Sequence, residues 1–360
     1  MIYIKTSELT PGMCLARDVN FYEPSIRYAV SLHSGQKLTD VHITQMVTAN
    51  IDGVYIDNIR SEIRIVSSIN SEIKNQAITG MRNLADNFID DSKGIQKNDI
   101  DNLSSTTEKL LDSLANKKDI LINIADLKMY DDYTFHHSLS VSIMATAIGI
   151  ELGLDKQCLF EIGLAGLLHD IGKVIIPIEI INKPSKLTPE EFEVVKMHPL
   201  YAANHLRERK LVSENCYQAI LQHHEKFNGT GYPYGVKEKN IHPYARILAI
   251  ADVYDALTSA RPYRNPSPPN EVVEYIMGGS GSHFDVDFVS AFLRKVAPFP
   301  VGSKVCLSDG TTAMVIKNYP EQPLRPLVSK YSDGRVYDLA HDSKYLNLVI
   351  TGLFVNTPTV

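Results

Sequence analysis

The chain has 360 residues, 44% of them hydrophobic and 22% charged, an ordinary globular composition that excludes a wholly disordered or fibrous protein. That length exceeds what one hydrophobic core usually serves, so two or three folded units are expected. The formal net charge of −6 excludes the broadly basic surface that drives binding to DNA or RNA polymers, and any recognition of phosphate must be local.

The start of the chain, Met1-Ile2-Tyr3-Ile4-Lys5-Thr6-Ser7-Glu8, meets charge before the apolar stretch of a signal peptide can develop. Apolar runs such as Ile175-Ile176-Pro177-Ile178 stop far short of the roughly 18–20 residues needed to cross a bilayer. A cytoplasmic protein with no membrane span is therefore expected. Cys14, Cys158, Cys216 and Cys306 are scattered, without a CxxC pair, and read as reduced structural thiols.

Residues 1–65 mix strand-like runs (Ile2–Ile4, Val54–Ile56) with the turn signals Pro11-Gly12 and Ser34-Gly35 and one helix over Asp40–Ala49, which predicts a small α/β domain. Residues 66–129 are polar and helical. Ile73, Ala77, Met81, Leu84 and Phe88 recur at three- and four-residue spacing, and a second helix is expected over Ile100–Leu114, so this stretch reads as a helical connector with an apolar face to cover. Helical periodicity dominates residues 130–299. Val141, Met144, Ala147, Ile148 and Leu152 line one face before Gly153 stops that helix; another runs through Leu159–Leu168. Thr188-Pro189-Glu190-Glu191 is a helix start with a capping box, Pro199 is expected to end or bend that helix just after His198, and Ala245–Ala260 is a further helix. Residues 300–360 change texture. Val305–Leu307, Ala313–Ile316 and Asn347–Phe354, separated by Asp309-Gly310 and Asp333-Gly334, predict a β-rich C-terminal segment of short strands.

Of the 12 histidines, five fall in an ordered series with acidic partners: His137, His169-Asp170, His198, His223-His224, and then Asp252. Neutral imidazole and carboxylate together suit iron, manganese or zinc in an open catalytic centre, and the lack of cysteine beside them argues against a structural zinc finger. A lone histidine on an apolar helix is ordinarily a core or surface residue, and His33, His42, His136, His205, His242, His283 and His341, outside the series, keep that reading. Adjacent helical side chains diverge by about 100°, so each adjacent pair is expected to serve different faces of a two-metal cluster, with Asp170 as the bridge. Lys173, one turn after His169, points to the same side and is placed to hold a phosphate oxygen, although a solvated lysine near a helix end has the same spacing. Gly229-Thr230-Gly231-Tyr232-Pro233 makes a turn that brings backbone close to a ligand or partner, or simply connects two helices, with Tyr232 available to stack on a base.

His169-Asp170-Ile171-Gly172-Lys173 followed by His223-His224-Glu225-Lys226-Phe227-Asn228-Gly229-Thr230-Gly231-Tyr232-Pro233 resembles the HD superfamily of metal-dependent phosphohydrolases, and its HD-GYP branch in particular. Tyr133-Thr134-Phe135-His136-His137-Ser138, Ala251-Asp252-Val253-Tyr254-Asp255-Ala256-Leu257-Thr258 and Arg261-Pro262-Tyr263-Arg264 extend the resemblance over about 130–297, and the first 65 residues resemble the small domain that often precedes HD-GYP domains.

The resemblance implies an all-α HD-type catalytic domain that hydrolyses cyclic di-GMP to linear pGpG or to GMP. It makes His137, His169, Asp170, His198, His223, His224 and Asp252 the metal ligands, and Lys173, Arg261 and Arg264 the phosphate contacts. It also implies iron or manganese as cofactor and a diguanylate cyclase as a partner at the Gly-Tyr-Pro loop. The catalytic roles fall to Asp170 and Lys173. Some members carry a glutamate four residues before the first histidine and bind a third metal. Tyr133 stands there, and a neutral phenol is a poor ligand, so two metal ions are expected. Asn228 and Val286 replace an aspartate and a proline usual in the family, away from the ligand positions. The competing expectations are a 3′,3′-cyclic GMP-AMP phosphodiesterase, a non-catalytic cyclic-dinucleotide module, and another HD phosphohydrolase acting on mononucleotides or alarmones. All the ligand positions lie between His137 and Asp252, so a chain starting near Lys118 is expected to keep some hydrolysis. The apolar face of the connector leaves room for a homodimer.

Overall fold

A computed structural model describes residues 2–16, 18–23, 28–49, 51, 53–56, 70–90, 94–115, 133–183, 185–259 and 266–353. The N-terminal unit holds β1 (Ile2–Lys5), β2 (Val19–Glu23), β3 (Tyr28–Leu32), α1 (Asp40–Thr48) and β4 (Gly53–Ile56). β1 pairs antiparallel with β4, Ile4 opposite Val54, and β2 pairs with β3 as a second ribbon. Thr39 caps α1: its hydroxyl accepts from the His42 N–H, and His42 Nδ1 accepts from the Thr39 N–H. Leu15, Phe21, Leu38, Met46 and Val54 close a small separate core.

The helical body begins with α2 (Ser71–Ile89) and α3 (Lys97–Ala115), which pack against each other. Their buried Ala77, Met81, Leu84, Leu103 and Leu110 join the same core as α4 (Tyr133–Glu151) and α5 (Lys156–Leu168). α4 is buried from residue 137 to 149, as a helix apolar on all sides must be. A 3-10 turn (Ile171–Ile175) leads to α6 (Ile178–Ile181), α7 (Pro189–Val195), α8 (His198–Glu208), α9 (Glu214–Gln222), α10 (Pro243–Thr258), α11 (Pro269–Gly278) and α12 (Val286–Lys295). α4 packs on α5, α10 and α12 at the centre of this body. The capping box at Thr188 opens α7 as expected, but Pro199 does not end it: α7 stops at Val195 and Pro199 lies in the first turn of α8. A proline is tolerated there because the first helical N–H groups have no intrahelical partner.

β5 (Lys304–Leu307), β6 (Thr312–Lys317), β7 (Leu327–Lys330), β8 (Val336–Asp338) and β9 (Ile350–Leu353) form an antiparallel sheet in the order β8-β7-β6-β5-β9. Alternate residues Val305, Leu307, Ala313 and Val315 point into its core with Phe299. Leu324 touches both this core and the helical one. The architecture is thus an all-α body flanked by a small α/β unit and a β-rich segment. Among the described residues no helix is long and apolar enough to cross a membrane.

Candidate active site

Five elements deliver the imidazoles and carboxylates to one buried place. α4 carries His137, the C-terminus of α5 presents His169 with Asp170 following, α8 opens with His198, His223 and His224 directly follow α9, and α10 carries Asp252. The 3-10 turn after Asp170 slides under the start of α8 because residue 172 is glycine. A Cβ there would collide with the His198 carbonyl and stand 3.0 Å from the Ala202 nitrogen.

The geometry centres on Asp170, whose side chain is 2% exposed. One oxygen, Oδ2, faces His137 Nε2 and His169 Nε2, each at 3.5 Å. The other, Oδ1, faces His198 Nε2 at 3.2 Å and His223 Nε2 at 3.9 Å. Two ligand groups result, His137, His169 and Asp170 in one and Asp170, His198, His223 and His224 in the other, with the donor atoms of each within 4.8 Å of one another. Asp252 lies between them, Oδ1 3.0 Å from His137 Nε2 and Oδ2 3.6 Å from His224 Nδ1.

The protons on the rings can be placed from their outer partners. His169, His198 and His223 each set Nδ1 2.7–2.8 Å from a backbone carbonyl, those of Gly166, Val195 and Ile220. A carbonyl only accepts, so Nδ1 carries the proton and the Nε2 lone pair points inward. The inward lone pairs of His198 and His223 then face each other at 3.5 Å, and His169 Nε2 and Asp170 Oδ1 are buried without a hydrogen-bond partner. Acceptors converging on acceptors is the arrangement that bound cations resolve, so the residues present fit a metal centre.

Charge states agree with that fit. Burial would push Asp170 up, but Lys173 and His169 beside it hold it well below the usual carboxylate range, and Asp252 is likewise held low, against its burial, by the hydrogen bond to His137. Burial keeps His169 and His223 below the ordinary imidazole value and takes His224 down to about 3 against the pull of Asp252. His137 goes the other way. Burial opposes its protonation, yet Asp252 and Asp255 raise it to about 9, so at this position proton and cation compete most directly.

The expectation that His223 and His224 diverge to different faces does not hold, since both join the same group, with ring centroids 4.0 Å apart. α9 ends at Gln222 and the chain turns there, the Glu225 N–H bonding the Gln222 carbonyl, so helical divergence no longer applies. His136 joins neither group. His42 and His242 cap helices and His205 packs on Phe88. His33 and His341, read from sequence as lacking acidic partners, lie 3.8 Å from Asp18 and 3.3 Å from Asp338; both are exposed pairs of the surface.

Lys173 sets its ammonium 2.5 Å from Asp170 Oδ2 and is 25% exposed, at the mouth of the cluster. Tyr232 lies against His224, ring centroids 4.7 Å apart. Phe192 meets the Tyr232 ring edge-on at 6.3 Å, with the Lys196 ammonium over both rings. Gly231 permits this fold-back of the loop, because a Cβ there would run into the Lys226 nitrogen and stand 2.5 Å from Glu225 Cα. Arg261, Arg264 and the side chain of Tyr133 lie outside the described residues. Three contributors have no role in the sequence pattern: Phe192, Lys196, and Asp255, whose Oδ2 is 2.7 Å from His137 Nδ1. The signal for Asp255 was its place one helical turn after Asp252.

The HD domain family model matches residues 108–288, which contain both ligand groups. A cyclic di-GMP phosphodiesterase of Pseudomonas aeruginosa is 36% identical over 245 residues, covering 68% of this chain and 59% of that protein. One from Thermotoga maritima is 38% identical over 183 residues, 49% of this chain and 50% of the relative. A 3′3′-cGAMP-specific phosphodiesterase of Vibrio cholerae is 39% identical over 154 residues, 43% of this chain and 35% of the relative. The chain therefore spans 35% to 59% of these relatives' lengths. A family model matched across half the chain and the residues that build the cluster lead to one conclusion: the chain belongs to the HD domain family.

Proposed function

We propose that the chain is a metal-dependent phosphodiesterase that opens a cyclic dinucleotide, with cyclic di-GMP as substrate and linear pGpG or GMP as product. The observation that carries this reading is the Asp170 carboxylate shared between two groups of inward-pointing imidazoles. His137, His169 and Asp252 with Asp170 would hold one divalent cation, iron or manganese, and His198, His223 and His224 with Asp170 a second. Such a pair supplies an activated water and neutralises charge on the phosphoryl oxygens.

Lys173, at the mouth, donates to a phosphate oxygen and adds charge stabilisation as the phosphorus is attacked. Arg261 and Arg264 are proposed to clamp the second phosphate by bidentate contacts. Tyr232 and Phe192 offer apolar rings to a base, and Lys196 above them supplies a cation at the same rim. The seven-ligand set, the basic clamp and the aromatic rim together favour an enzyme over a non-catalytic binding module. The cGAMP-specific relative of similar identity favours 3′,3′-cyclic GMP-AMP as the second substrate reading.

A cytoplasmic location, the domain limits 1–65, 66–129, 130–299 and 300–360, a homodimer, and docking of a diguanylate cyclase at the Gly-Tyr-Pro loop complete the proposal. The test is anaerobic purification with metal analysis, then product chromatography with both cyclic dinucleotides. About two metals per chain with cyclic di-GMP turnover supports the reading; a metal-loaded chain that leaves both substrates intact ends it.

A further inference from the structure

The cluster's imidazoles are not held alike. His169, His198 and His223 each donate Nδ1–H to a neutral backbone carbonyl. His137 alone, among the cluster histidines, has a carboxylate at hydrogen-bonding distance from Nδ1, that of Asp255 at 2.7 Å. Both side chains are buried, at 1% and 3% exposure, so water does not screen the contact. α10 places Asp252 and Asp255 one turn apart, and the two grip opposite nitrogens of the ring, Asp252 Oδ1 lying 3.0 Å from Nε2. A carboxylate behind an imidazole fixes its tautomer and orientation, and makes the opposite nitrogen a stronger donor than a carbonyl can.

We propose that Asp255 is a positioning residue that, through His137, makes the metal position of His137, His169 and Asp170 bind its cation more tightly than the position of Asp170, His198, His223 and His224. This rests on the two-cation reading above. Ligand charge runs the same way. Asp252 stands closer to the His137 side, 3.0 Å from His137 Nε2 against 3.6 Å from His224 Nδ1, and a third carboxylate lies behind that ring, whereas the His198 side gathers three imidazoles around the shared Asp170. The two positions are therefore unequal, and they fill in order, the His137 side first.

The test uses the full chain, stripped with a chelator and titrated anaerobically with Mn²⁺, free Mn²⁺ being read by electron paramagnetic resonance. Wild-type protein is expected to show a tighter and a weaker class of site. Asp255→Asn should weaken the tighter class by roughly 10–100-fold and leave the weaker one unchanged, a split that a general loss of structure would not give. In a His137→Ala background, Asp255→Asn should cause no further loss, since its effect passes through that ring. Unchanged affinity in Asp255→Asn, or equal weakening of both classes, overturns the assignment. Wild-type protein that takes up no Mn²⁺ would instead count against the phosphodiesterase reading itself. Should the asparagine variant not fold, histidine ¹H–¹⁵N spectra of the zinc-loaded wild type decide. The His137 Nδ1 proton should lie well downfield of those of His169, His198 and His223, and coincidence of the four overturns the proposal.

Discussion

At the scale of single residues, Asp170 and Lys173 touch each other yet should fail differently. Asp170 belongs to both groups, one carboxylate oxygen facing each set of imidazoles, so Asp170→Ala is expected to abolish metal retention and turnover together. Lys173 has a single contact with the cluster and is 25% exposed. Lys173→Ala should keep the metals and slow hydrolysis by about 10²–10³, the scale of losing one charge-stabilising donor. Metal analysis beside initial rates separates the two, and unchanged turnover in the lysine variant would make Lys173 a plain helix-end cation. Gly231→Ala forces a methyl into the backbone of residues 224–226, so it should cost roughly 1–3 kcal/mol in thermal unfolding and displace His224, one of the ligand candidates. Most of this site was legible in the sequence, because histidine and aspartate pairs are rare enough in combination to mark themselves. Asp255 was not, since one helical turn of spacing says that two carboxylates share a face but not which nitrogen of which ring each meets. Nor was Phe192, which reaches the rim only by the packing of α7 against the loop.

At the scale of elements, the candidate ligands come from α4, the end of α5, the start of α8, the end of α9 and α10, so bound cations would tie together five pieces of chain that apolar packing already holds close. Whatever binds the folded state alone stabilises it by mass action, so removing the metals with a chelator should lower the melting temperature, and added Mn²⁺ should restore it. An equal melting temperature with and without metal would mean the cluster is not loaded. Away from the cluster, Thr188→Ala removes the hydroxyl that accepts the Glu191 N–H, and loss of that cap is expected to cost about 1 kcal/mol without touching activity. Helices with strong caps or steady periodicity, such as α1, α2 and α7, could be read directly. The hairpin of β2 and β3 and the strands β7 and β8 could not: short strands of three to five residues carry little periodicity, and their pairing is decided by partners distant in sequence. Pro199 misled for a related reason, because a proline inside a helical stretch fits equally well as the end of one helix or the first turn of the next.

At the scale of the whole molecule, the question is where the catalytic body begins. The sequence pattern places a connector before the helical domain, and from the ligand positions alone a chain starting near Lys118 is expected to keep some hydrolysis. The packing argues otherwise. Ala77, Met81, Leu84, Ile95 and Leu103 are at most 1% exposed and share one core with α4 and α5, and α2 also packs against the turn that follows Asp170. Fully burying a large aliphatic side chain stabilises by roughly 1.5–3 kcal/mol, so losing α2 and α3 removes an amount comparable with the 5–15 kcal/mol that holds a typical domain folded. A chain beginning near Lys118 should therefore lose its cooperative melting transition and its metals, whereas one beginning near Asn70 sheds only the N-terminal unit, which closes its own core around Met46, and should keep both. Circular-dichroism melts with metal analysis on the two shortened chains distinguish these outcomes. If the chain from Lys118 melts cooperatively with full metal content, α2 and α3 are a detachable connector; if the chain from Asn70 also loses its metals, the N-terminal unit holds the turn after Asp170 in place through α2.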